Sequence, residues 1–207
     1  MKRVIVVGPS LQALDGFDLN KCSEFDIVVG TNKVMESELS KNVDFDVIFL
    51  NSTCAKHYSN EDNFKKLKGK TIFTKQKIEA NWLKKVSDHD RIYSMDSKWN
   101  ELRTEFSPHV PYYGTAIVSY LKDICQDLYV VGFDFYLNGF SAKKNYIKGY
   151  YDLEDKEKEE SCHSLEKDLK YYAEKILNSD NVLLDASVAE YYKKSLKKYG
   201  LKDVAEK

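Results

Sequence analysis

The chain has 207 residues, with 32 Lys and Arg against 33 Asp and Glu and a formal net charge of -1 at pH 7. That length fits one domain able to bury a core without disulfides, and charges this balanced and interleaved leave no basic footprint for nucleic acid. The cysteines Cys22, Cys54, Cys125 and Cys162 show no CxxC spacing, and the first residues read as a strand rather than a signal peptide, so a reducing, cytoplasmic compartment is expected.

Nowhere does an apolar run approach the roughly 20 residues that span a bilayer. Membrane contact is therefore expected to be at most peripheral; the Lys-rich C-terminal helix reads as a solvated face, with contact to an anionic membrane as the alternative.

Lys2-Arg3-Val4-Ile5-Val6-Val7-Gly8 is a continuous apolar run ending in glycine, the pattern of a parallel strand buried on both faces. Gly8-Pro9-Ser10-Leu11 follows, where proline suits a first helical turn and Ser10 suits its cap, so backbone N–H groups there are placed to meet an anion. It is neither a P-loop, since no GK[ST] follows, nor a GxGxxG dinucleotide fingerprint.

Asp26 to Asn32 and Asp46 to Ser52 read as the next two strands, and each carries an asparagine at its carboxyl end, Asn32 and Asn51. An amide offers a donor and an acceptor together, which suits ribose hydroxyls and phosphate oxygens. Asparagine is equally at home in turns, and both readings stay open at these two positions.

Asp44-Phe45-Asp46 spells a DxD of the kind that holds a metal on a nucleotide diphosphate, but these acids precede their strand and fall at the edge opposite a carboxyl-end site. Asp88-His89-Asp90 sits in a short polar loop without further ligands at diagnostic spacing. No metal is expected.

Lys70 to Lys75 predicts a strand, Lys77 to Val86 a helix and Arg91 to Met95 another strand. Asp96 to Tyr113 shows no clear periodicity and reads as irregular or as a substrate-facing loop. Gly114 to Ile124 predicts a helix with Ala116, Ile117, Tyr120, Leu121 and Ile124 on one side. It delivers the chain to the strand Leu128-Tyr129-Val130-Val131, which releases Gly132, Asp134 and Tyr136 at its end. A strand that frees a glycine, an acid and aromatics in this way is how open α/β sheets build ligand sites.

The polar run from 140 to 161 is long for a connection and reads as a lid. From His163 the apolar residues Leu165, Leu169, Tyr172, Ala173, Ile176 and Leu177 share one helical face, which puts His163 at the first turn. Asn181 to Asp185 predicts a last strand and Ala189 to Ala205 a terminal helix or pair of helices. The βα alternation predicts a single domain, residues 1 to 207, with a mainly parallel Rossmann-like sheet flanked by helices.

Among four histidines, His163 has the chemically useful place, between lid and helix and near the strand end that carries Asp134 and Tyr136. An imidazole there can take a proton from an attacking hydroxyl; it can also be no more than a helix-capping residue. Tyr136 and Tyr146 are phenols suited to a departing phosphate or to packing.

Gly8-Pro9-Ser10-Leu11, Asn32, Asn51, the helix from Gly114, the phrase Gly132-Phe133-Asp134-Phe135-Tyr136-Leu137-Asn138-Gly139 and His163-Ser164 together resemble the small bacterial sialyltransferases that build host-like glycans on lipooligosaccharide. Gly132-Phe133 is also similar to the short motif of animal sialyltransferases. The resemblance implies a metal-independent, inverting glycosyltransferase of GT-A type that uses CMP-sialic acid as donor substrate, needs no cofactor and acts on a glycan acceptor, with an oligomer possible. It implies His163 as general base, Tyr136 and Tyr146 as supports for the leaving nucleotide, and Gly8, Ser10, Asn32, Asn51, Gly114, Gly132 and Asp134 around the donor.

The chain departs from that pattern in two places. Val6-Val7 precede Gly8 where the family reads Gly-Asn-Gly, and His109-Val110-Pro111-Tyr112-Tyr113 stands where the family has an arginine and a Thr-Ser pair. Two alternatives therefore stand beside transfer of sialic acid: a different nucleotide sugar, or nucleotide binding without transfer. A pyrophosphokinase-like enzyme would need acids at the carboxyl edge, where only Asp134 qualifies.

Overall fold

A computed structural model describes residues 2–135 and 162–201. Seven strands form one sheet, β1 (Arg3–Val7), β2 (Ile27–Thr31), β3 (Val47–Leu50), β4 (Thr71–Thr74), β5 (Ile92–Ser94), β6 (Asp127–Val131) and β7 (Val182–Leu184). They lie in the order β5-β4-β3-β2-β1-β6-β7, and every pairing is parallel. The expected single-domain, mainly parallel α/β architecture is the observed one.

Alternate residues along a strand face opposite sides, and here the two sides feed two cores. Val4, Val6, Leu128 and Val130 enter one; Ile5, Val7, Val28, Ile48 and Val131 enter the other. Burial on both faces is why these strands read as unbroken apolar runs instead of alternating ones. The first core is closed by α5 (Asp96–Phe106), α6 (Tyr113–Ile124), α7 (Leu165–Tyr171) and α8 (Ala186–Lys198). The second is closed by α2 (Ser52–His57), α3 (Glu61–Phe64) and α4 (Lys77–Lys84), with the one-turn α1 (Leu39–Asn42) beside them.

Three expectations need correction. Asp96 to Phe106 is a regular helix: Trp99, Leu102 and Phe106 recur at helical spacing and are buried, and the charged residues between them conceal so narrow a stripe. Lys98 ties this helix to α6 through an ion pair to Asp123 at 2.8 Å and pairs within its own helix with Glu101 at 2.9 Å. No helix starts at Pro9; the chain runs through successive turns there, with the Ser10 hydroxyl accepting from Ala13 N–H at 3.3 Å. The terminal helix begins at Ala186, because Asp185 accepts from Ser187 N–H at 3.0 Å and caps it.

Strands β1 to β5 are laid down outward from the centre, and the chain then returns through α5 and α6 to place β6 against the free side of β1. The loops leaving β1 and β6 diverge to opposite sides of the sheet, which opens a crevice at their carboxyl ends. Their first residues stay in contact: Gly8 N–H donates to the Val131 carbonyl at 2.8 Å and Ser10 N–H to that of Gly132 at 3.0 Å.

A Cβ at Gly8 would stand 2.3 Å from the Gly132 oxygen, and Gly132 itself holds φ +75°. Phe133 fits between two glycines, since a Cβ at Gly8 or at Gly114 would fall 2.7 Å from its ring atoms. Gly8→Ala should therefore destabilise the protein by about 1–3 kcal/mol, the usual cost of overpacking. Urea denaturation reads this directly, and an unmoved midpoint would contradict the close approach.

Candidate active site

A narrow crevice lies at the carboxyl ends of β1 and β6. Asn32 and Thr31 close it from the end of β2, Gly132, Phe133, Asp134 and Phe135 from the end of β6, Tyr112, Tyr113 and Gly114 from the start of α6, and Asp168 and Tyr172 from α7 and the turn beyond it. That turn, Tyr172–Ile176, is wound as a π-helix, a distortion common at functional sites.

Asn32, Gly114, Gly132 and Asp134 thus line one cleft. Asn32 adopts φ 53°, a left-handed conformation that asparagine tolerates better than most residues, and its Oδ1 accepts from the Asn51 backbone N–H at 2.9 Å. The Asn51 side chain caps α2 by accepting from Cys54 N–H at 2.9 Å, and Asn51 is not among the cleft-lining residues. Two asparagines that look equivalent in sequence therefore do different work. Gly8 and Ser10 are buried and not among the cleft-lining residues, and their backbone N–H groups, expected to meet an anion, are instead taken by the Val131 and Gly132 carbonyls. Tyr136, Tyr146 and the lid expected at 140–161 lie outside the described residues.

His163 is not in the first turn of its helix. Ser164 is the cap of α7, its hydroxyl accepting from Lys167 N–H at 3.3 Å, and His163 precedes it in an isolated parallel bridge with Val110. Residues 107–112 and 162–168 are fastened to each other along their length; Tyr112, Leu165 and Asp168 of these segments line the cleft, and His163 is not among its lining residues. Val110 N–H donates to the Cys162 carbonyl at 2.8 Å, Lys167 Nζ to that of Ser107 at 3.0 Å, and Tyr112 N–H to the Asp168 carboxylate at 3.1 Å.

The His163 ring stacks on Tyr112, centroids 4.5 Å apart and planes inclined by 12°. Its Nδ1 lies 2.9 Å from the Val110 carbonyl. A carbonyl can only accept, so Nδ1 carries the proton and Nε2 keeps its lone pair. Burial, followed by the nearby charges of Lys75 and His109, pulls the imidazole below its ordinary value of 6.5, against the opposing pull of the Val110 and Pro111 carbonyls. Lys75 is held over the rings of Trp99 and Tyr113, at 4.7 and 5.4 Å from their centroids.

The sequence reading missed Asp168. It is 2% exposed, and burial pushes its carboxyl up to about 7 in spite of hydrogen bonds from the Thr115 hydroxyl and Tyr112 N–H. A signal was present: an acid placed within the apolar stripe Leu165, Leu169, Tyr172 is the kind of buried polar residue that calls for explanation. Tyr112 and Tyr113 were hidden by being assigned to an irregular region.

Among the described residues no three His, Cys, Asp or Glu side chains cluster as a metal would require. Asp46 accepts from Val28 N–H at 2.8 Å at the amino edge of the sheet, and His89 contacts the Lys70 carbonyl at 2.5 Å. No helix among the described residues is long and apolar enough to cross a membrane.

A seven-stranded parallel sheet wound in this order, with a cleft at its β1/β6 switch point, is an α/β fold of GT-A-like kind. No protein-family model matches the chain, and neither does any curated protein. Solved structures do match. The sialyltransferase CstII from Campylobacter jejuni, in complex with cytidine-5'-monophosphate, superposes with a TM-score of 0.54 at 17% identity, covering 89% of this chain and 79% of that one. The monofunctional α-2,3-sialyltransferase Cst-I from the same organism gives 0.58 at 14% identity over 93% and 79%. A mammalian sialyltransferase gives 0.57 at 14% identity over 89% and 68%.

The His163 environment has a measurable consequence. Because its folded-state pKa lies below the unfolded value, the unfolded chain takes up the proton first on acidification, and the stability tied to the neutral ring is lost as pH falls from about 6.5 toward the folded pKa. Side-chain NMR titration should find His163 titrating below 6.5 with Nδ1 protonated. A value at or above 6.5 would contradict the buried, stacked placement.

Proposed function

We propose that this protein is an inverting glycosyltransferase that moves sialic acid from CMP-sialic acid to a glycan hydroxyl, with His163 as general base. The observation that carries the proposal is the His163 imidazole, held at Nδ1 by the Val110 carbonyl and stacked on Tyr112, a residue that lines the cleft. CstII has been solved with CMP and with the substrate analogue CMP-3FNeuAc, which supports the choice of donor class.

In the proposed step the acceptor oxygen forms a bond to the anomeric carbon as the bond from that carbon to the phosphate oxygen breaks. The electron pair leaves with CMP, and Nε2 takes the acceptor proton. A base of depressed pKa is unprotonated at neutral pH and ready for that transfer. Asn32 would contact the donor, while the glycines at 114 and 132 let the backbone approach the nucleotide closely. Tyr136 and Tyr146 would donate to the phosphate as negative charge develops on it.

One observation favours a second reading, in which CMP binds without transfer. The Asn51 side-chain oxygen is committed to the α2 cap, and Val6-Val7 stand where the resembled family carries another asparagine.

His163→Ala should lower transfer from CMP-sialic acid by about 10²-fold or more while leaving CMP affinity, read by calorimetry, unchanged. Chelator should leave the rate as it was. Full turnover in the variant would remove His163 from the mechanism, and CMP binding by a wild-type protein that neither transfers nor hydrolyses the donor would favour the second reading.

A further inference from the structure

We propose that Asp168 is the positioning residue for His163, acting through Tyr112; its catalytic consequence rests on the reaction proposed above, its structural content does not. Both Asp168 oxygens face the Tyr112 N–H, at 3.1 and 3.4 Å, across 56 positions of sequence. Tyr112 is the residue that caps α6, and its extended backbone, with φ -60° and ψ 147°, sets the direction of its ring. That ring is the surface on which the imidazole lies. His163 and Asp168 belong to the same short segment, five positions apart, so the carboxylate, the Tyr112 backbone, the Tyr112 ring and the imidazole form a closed circuit.

Each element of the circuit removes a different freedom. The Val110 carbonyl fixes which nitrogen carries the proton and the tilt about Nδ1. Stacking on Tyr112 fixes the plane of the ring, and stacking is only as firm as the support beneath Tyr112. Asp168 is that support.

Among the described residues no ion pair neutralises Asp168, and a buried carboxyl without a cation is costly. A leucine there would continue the apolar stripe of Leu165, Leu169 and Tyr172 at lower cost. What leucine cannot supply is an acceptor for the Tyr112 N–H. Since a misplacement of about 1 Å at a reacting group can cost about 10² in rate, this one acceptor has kinetic weight out of proportion to its contribution to folding.

The test compares Asp168→Ala, Asp168→Asn and Tyr112→Leu with wild type, first by side-chain NMR of His163 and then by transfer kinetics. Asp168→Ala and Tyr112→Leu should each move the His163 titration up toward 6.5 and broaden its Nδ1 proton signal. Asp168→Asn keeps an acceptor and should leave both near wild type. In kinetics the first two should lose about tenfold or more in kcat with KM for the donor little changed, and the Asp168→Ala, Tyr112→Leu double variant should be no slower than the worse single one, as coupled residues require.

A His163 signal that is the same in Asp168→Ala as in wild type overturns the proposal, and so do additive kinetic losses. Should Asp168→Ala fail to fold, Tyr112→Leu and Asp168→Asn decide it: an unmoved His163 in the former, or a displaced one in the latter, overturns it. If wild type transfers nothing, the function proposed above has failed, and the NMR arm still decides whether Asp168 positions the ring.

Discussion

The backbone contact between Gly8 and Gly132 is the constraint on which the rest of the site depends. Strands β1 and β6 are neighbours in space although more than a hundred residues apart in sequence, and their ends must touch before the loops part. Any side chain at Gly8 would strike the Gly132 carbonyl, and the positive φ at Gly132 turns the chain out of the sheet at once. Phe133 then lies against Gly8 on one side and Gly114 on the other. Three glycines and one aromatic ring thus fix the distance between the end of β1, the end of β6 and the start of α6, and the cleft is the space left among them.

The second layer is polar and joins two segments that contribute Tyr112, Leu165 and Asp168 to the wall of the cleft. Residues 107 to 112 and 162 to 168 are fastened by hydrogen bonds that are individually ordinary, each worth about 1 kcal/mol net. Together they hold the imidazole against the Tyr112 ring. Burial acts on the two ionisable groups of this layer in opposite senses of pKa but toward the same state, lowering that of His163 and raising that of Asp168 to about 7. Both are pushed toward their uncharged forms, as burial of an ionisable group requires.

Much of this was legible in the sequence. Strands buried on both faces announce themselves as apolar runs, and Gly132-Phe133-Asp134 stood out because such a run ended there. The helix Asp96–Phe106 was not legible, because three buried residues among eight others make too thin a stripe. Asn32 and Asn51 could not be told apart, since only the backbone decides that one turns left-handed into the cleft while the other caps a helix. The contacts that hold His163 were not legible either. Its partners, Val110 and Tyr112, are about fifty residues away along the chain, and no local pattern links them to it.

The central claim is that this cleft takes a cytidine monophosphate sugar with the His163 ring beside the reacting carbon. The most direct measurement is a crystal structure of the full chain with CMP or an inert analogue of CMP-sialic acid. The account predicts the nucleotide over Gly114 and Gly132, its phosphate toward Asn32, and His163 Nε2 open to an acceptor oxygen at roughly 3 Å. A nucleotide bound away from the β1/β6 crevice, or seated in it with the imidazole turned away, would contradict it.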